Sequence, residues 1–140
     1  MPPPPPWPFV LARVATTLLF WPLALGAAGA LAIILTFLLA GHVLVIGAVA
    51  SVLVAASAGL FFAVRHYRWR TPPLDAQLSA ICATLMLGTA TNLPLGVAAF
   101  SPASIDDLRV MAALALTALG QVGTIAAFRW SMREPRPAWP

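Results

Sequence analysis

Apolar residues run almost without interruption along this chain, and its few polar breaks decide how it divides. From Phe9 to Val64 the only formally charged residue is Arg13. About 20 apolar residues already cross a hydrocarbon core ~30 Å thick, so this stretch is too long for one span. It breaks at Ala40-Gly41-His42, where a glycine and a strongly polar ring interrupt the run. Arg65-His66-Tyr67-Arg68-Trp69-Arg70 marks an exit from the bilayer, and Thr71, Pro72, Pro73 and Asp75 then form a helix-start signature. Ser104 with Asp106 and Asp107 makes another, because carboxylates favour the positive end of a helix dipole. The pattern predicts an all-α membrane protein of four transmembrane helices, at about residues 17–40, 42–65, 74–100 and 106–130, in two antiparallel hairpins.

On this division residues 1–12 are a proline-rich tail, 13–130 the transmembrane domain and 131–140 a second tail. Pro2 to Pro6 favour polyproline II, since each ring fixes φ and removes a donor. Pro22 either kinks the first helix or starts it. In the second case residues 8–20 form an interfacial helix anchored by Trp7, Arg13 and Trp21. Ala28-Gly29-Ala30 looks like a cleavage site for a secretory leader, but the apolar run continues beyond it, so the segment reads as part of the span.

Composition excludes a water-soluble domain. The chain of 140 residues is 61% apolar and 9% charged, with a mean hydropathy of +0.91, whereas soluble domains carry about 25% charged residues. The net charge of +4 comes from eight arginines and no lysine. Arg13, Arg65, Arg68, Arg70, Arg129, Arg133 and Arg136 fall on one side of the four-span arrangement, with Arg109 on the other. This distribution is a topology signal and implies no nucleic-acid partner. The positive-inside rule places both termini and the central loop in the cytoplasm, an N-in/C-in protein of a bacterial inner membrane. All five tryptophans (7, 21, 69, 130 and 139) and Tyr67 fall on that same side.

Helices in lipid associate through small residues that let backbones approach. The second helix has Gly47, Ser51, Ala55, Gly59 and Ala63 at four-residue spacing. The third has Ala80, Thr84, Gly88, Asn92 and Gly96, and the fourth Ala113, Thr117, Gly120, Thr124 and Ala127. All three stripes are expected to face other helices, which makes Gly59 and Gly88 equally intolerant of leucine. Asn92, Thr117 and Gln121 are the polar groups that need partners within the spans. Counted from the outer helix ends, Ser51, Asn92 and Thr117 lie ~12–15 Å deep and Ser57 and Gln121 ~21–22 Å deep. They form either hydrogen-bonded packing contacts or a polar pathway in which Pro94 frees a carbonyl near Asn92.

No Asp, Glu, Lys or Arg falls mid-span, where a proton-coupled transporter needs an ionisable group. His42 and His66 belong to opposite membrane sides, and Cys82 is a single thiol that reads as packing. No metal or cofactor is expected, and no acid–base or nucleophile set can be assembled. The expectation is a non-catalytic accessory, structural or assembly subunit packing against other membrane proteins. The alternative is a small channel or transporter acting as a homodimer, with Asn92, Thr117 and Gln121 along its path. A cytoplasmic rim of Arg65, Arg68, Trp69, Arg70, Arg129, Trp130 and Arg133 is expected to hold anionic lipid head groups or an acidic partner surface.

Overall fold

Among the described residues the secondary structure is four helices, α1 (Trp7–Leu38), α2 (Val43–Tyr67), α3 (Pro73–Phe100) and α4 (Asp107–Met132). The computed structural model describes residues 3, 6–39, 42–67, 73–100 and 107–133. All four helices are long and apolar enough to span a membrane. At 1.5 Å per residue they measure from about 38 Å to about 48 Å, against ~30 Å of hydrocarbon.

The largest departure from the expected boundaries is at the start of α1, which begins at Trp7 and not near residue 17. Pro6 caps the helix in an extended conformation and Pro8 occupies its first turn, where a missing N–H costs nothing and a fixed φ helps. Thr16 and Thr17 turn their hydroxyls back onto the carbonyls of Ala12 and Arg13, at 2.7 and 2.8 Å. The helix continues through Pro22 as one element, so residues 8–20 are not a separate interfacial helix. Trp21 is half-buried and packs edge-on against Phe128 of α4 at 5.1 Å, with Phe20 completing the cluster.

Helix α3 is the axis of the bundle. It packs against α1, α2 and α4, while α1 and α2 have at most marginal contact despite their expected pairing as a hairpin. Half of the α3 span is buried, compared with 17% of α1, 11% of α2 and 17% of α4. Its most apolar stretch is also the least apolar among those of the four spans. In water the most apolar helix would be central. In lipid, long apolar side chains lose little by facing outward, so the centre goes to small and weakly polar residues. Leu44, Leu108, Phe37 and Leu23 accordingly lie exposed on the outer surface.

The contacts follow side-chain size. On α3, Ala80, Ala83, Thr84, Gly88, Asn92 and Gly96 are buried. Helix α1 meets them with Ala24, Ala28, Ala32 and Thr36, a fourth stripe at four-residue spacing that the sequence contains but that was not expected there. A β-carbon on Gly88 would lie 2.9 Å from that of Ala28, and one on Gly96 would lie 3.3 Å from that of Thr36. The offset in residue number is the same in both pairs, so α1 and α3 run side by side in one direction.

The small-residue stripe of α2 does not face inward. Gly47, Ser51, Ala55 and Gly59 are exposed, and a β-carbon on either glycine would meet nothing within 4 Å. The buried face carries Ile46, Ser57, Phe61 and Val64, roughly 140° around the helix. Because α3 already supplies the small side of this contact, α2 fills it with larger groups. Ile46 packs with Ala32 and Leu93, and Val64 with Ala76 and Ala80. Cys82, expected as a packing residue, is exposed on the bundle surface.

Candidate functional site

Polar side chains inside the bundle mostly satisfy themselves on their own helices. Thr36 donates to Ala32, Thr84 to Ala80, Thr89 to Leu85 and Thr124 to Gly120, each hydroxyl reaching the carbonyl four residues back at 2.7 Å. Ser57 and Ser131 do the same over three residues. This back-bonding leaves a hydroxyl that behaves sterically like a methyl group, suited to packing between helices.

Asn92 and Gln121 are brought together. Asn92 Nδ2 donates to the Gly88 carbonyl at 2.8 Å, and its Oδ1 accepts from Gln121 Nε2 at 3.5 Å, a long hydrogen bond between α3 and α4. The depth count had placed Asn92 level with Thr117 and Gln121 deeper. The structure instead matches Asn92 with Gln121 and Thr91 with Gly120, because the two helices are staggered relative to their ends.

Thr117 stands apart from both. Among the described residues its Oγ1 is a buried side-chain oxygen without a hydrogen-bond partner. An unpaired buried hydroxyl costs about 1–3 kcal/mol. Thr117→Val, which keeps the shape and removes the oxygen, is expected to raise bundle stability by about 1 kcal/mol. The check is thermal unfolding in mild detergent. A lower melting temperature would show that the hydroxyl has a partner in the membrane.

Arginines from three helices gather at one end of the bundle. Arg65 at the end of α2 reaches α4, where Nη1 donates to the Trp130 carbonyl at 2.6 Å and the guanidinium lies 4.6 Å over the indole. That carbonyl lies in the last turn of α4 and also accepts the Arg133 N–H at 3.3 Å, so Arg65 adds a second donor to it from another helix. On the other flank Arg13 of α1 and Arg129 of α4 line a shared groove of about 720 Å³ with Thr16 and Thr17. Arg133 is exposed just beyond α4. Of the expected rim, Arg65 and Trp130 are thus in contact, while Arg129 shares its groove with Arg13, which was not part of that rim. Arg68, Trp69 and Arg70 lie outside the described residues.

Sequence reasoning passed over the Arg65–Trp130 clasp and the aromatic cluster joining α1 to α4. Both residues of the clasp had been placed at the same membrane side, but nothing local in the chain pairs a position on α2 with one on α4. Among the described residues no group of three or more His, Cys, Asp or Glu side chains converges as a metal site. Comparison with protein-family models, curated proteins and solved structures finds no match for this chain.

Proposed function

We propose that this is a non-catalytic integral membrane protein that acts as an accessory, structural or assembly subunit by packing against other membrane proteins. The observation that carries this reading is the outward face of α2. Gly47, Ser51, Ala55 and Gly59 form a smooth stripe on a helix with little of its span buried, and among the described residues no other helix covers it. The Ser51 hydroxyl is bonded to the Gly47 carbonyl at 2.9 Å, so the face presents no unpaired polar group. Such faces are where helices approach most closely in lipid.

In this reading both termini and the α2–α3 loop lie in the cytoplasm, the helices alternate up and down, and the membrane is a bacterial inner membrane. The arginine-rich end of the bundle supports that orientation through the positive-inside rule. The alternative, a homodimeric channel or transporter, draws its support from Asn92, Gln121 and the unpaired Thr117. The mutual contact of Asn92 with Gln121 and the back-bonded hydroxyls favour packing over a passage.

The test is a Gly47→Leu/Gly59→Leu double variant, purified beside the wild type in mild detergent from the native host. The variant is expected to keep the wild-type melting temperature, since both glycines face open space, and to lose a membrane partner that the wild type retains. Retention of the same partner by both, or recovery of the wild type solely as a homodimer, would overturn the accessory reading.

A further inference from the structure

An apolar trough of about 370 Å³ runs between α2 and α4. Leu87 of α3 forms its floor, Val54, Ala58 and Phe62 one wall, and Ala127 and Trp130 the other. The hydroxyl on this wall, that of Ser57, is bonded to the Val54 carbonyl at 2.8 Å and offers nothing to a polar ligand. Phe62 and Trp130 meet edge to face at 5.2 Å, and beyond them a second pocket of about 380 Å³ is bounded by Arg65 and His66. Apolar trough, aromatic contact and basic pocket thus follow one another along the seam between α2 and α4.

The dimensions match one class of occupant. From Val54 to His66 the helix rises ~18 Å, close to the ~15 Å of hydrocarbon in one leaflet. A transmembrane helix of another protein would need about twice that length and would not end against a guanidinium. Among the described residues the mouth carries the Arg65 guanidinium and the His66 ring and no carboxylate. Asp75, at the same end of the bundle, lines a different crevice with Tyr67 and Ala76. Arg65 is also fixed in place, held by the Trp130 carbonyl and stacked on its indole. A pre-positioned planar fork suits a phosphate better than a mobile side chain does.

We propose that the α2–α4 groove seats one anionic phospholipid from the leaflet at this end of the bundle. One of its two acyl chains lies along Ala58 and Leu87, and its phosphate sits at Arg65. The inference rests on the reading of these helices as membrane-spanning.

The experiment uses the full chain, delipidated in mild detergent and given phosphatidylglycerol or phosphatidylcholine of equal acyl chains, with bound lipid counted by native mass spectrometry. One phosphatidylglycerol is expected to be retained about fivefold better than phosphatidylcholine. Ala58→Phe fills the trough from an exposed position, and Arg65→Gln removes the cation. Each is expected to lower phosphatidylglycerol retention about fivefold, while Arg13→Gln, on the opposite flank, leaves it unchanged. Equal retention of the two lipids, or wild-type retention by Ala58→Phe, would overturn the proposal. Failure of the spanning reading would show separately, as release from native membranes by alkaline carbonate without detergent.

Discussion

Gly120→Ala, the addition of one methyl group, is expected to lower the melting temperature of the detergent-solubilised protein, and Gly59→Ala is not. A β-carbon on Gly120 would fall within contact distance of the β- and γ-carbons of Thr91. Thr91 cannot simply rotate away, because its hydroxyl donates to the Gly88 carbonyl at 3.0 Å. Helix α4 must therefore back off from α3, at the ~1–3 kcal/mol typical of overpacking. Gly96→Ala should behave alike, since its β-carbon would come 2.5 Å from Thr36 Oγ1, which is itself bonded to Ala32. Gly59 faces open space, so alanine there is neutral or gains up to about 1 kcal/mol from helix propensity. A common response of all three variants would mean that the small residues do not set helix approach.

Leu93→Ala is expected to be strongly destabilising. Among the described residues Leu93 is the buried leucine, at 1% exposure, and it sits where Ala32 of α1 and Ile46 of α2 meet α3. In soluble proteins such a change costs about 2–5 kcal/mol, partly as lost transfer free energy and partly as a cavity. Lipid tails are as apolar as leucine, so the transfer part is small here and the cavity part remains. About 2–3 kcal/mol is the expected loss. Leu44→Ala, at 91% exposure, removes the same atoms from the lipid-facing surface and should change stability by much less. Equal losses for the two would place Leu93 on the surface.

These predictions depend on knowing which face of each helix is buried, and that is where the sequence is least legible. The four helices could be read directly, because a hydrocarbon slab requires long apolar runs, and Arg65, His66, Pro73 and Asp75 punctuate them. Faces could not, since a span that is apolar all round carries no amphipathic signal. Small residues were the substitute cue. On α3 and α4 the stripes through Gly88 and Gly120 do lie at helix contacts, but on α2 the stripe through Gly59 lies outside. One small surface is enough for close approach, and α3 provides it, which leaves α2 free to present Ile46 and Phe61. On α1, Ala24, Ala28, Ala32 and Thr36 carried the same spacing as the other stripes, while Pro22 had pointed to the helix start.

The candidate site divides in the same way. Asn92 and Gln121 are conspicuous as carboxamides inside spans, and their meeting is what burial of unpaired amides demands. Their pairing depends on helix stagger, which a count of depth from helix ends does not contain. The Arg65–Trp130 clasp depends on a contact between α2 and α4 that arises only once both lean on α3.

The position of α3 at the centre, alongside α1, is best tested by a disulfide between Thr36→Cys and Gly96→Cys, with Cys82 replaced by serine. A β-carbon on residue 96 would lie 3.3 Å from that of residue 36, close to the ~3.5–4.5 Å range of a disulfide. A protease site is placed within residues 68–72, and membranes are oxidised and cleaved before a non-reducing gel. The two halves are expected to remain joined and to separate on reduction. Halves that separate without reductant would contradict the packing of α1 on α3, and with it the central place of α3 in the bundle.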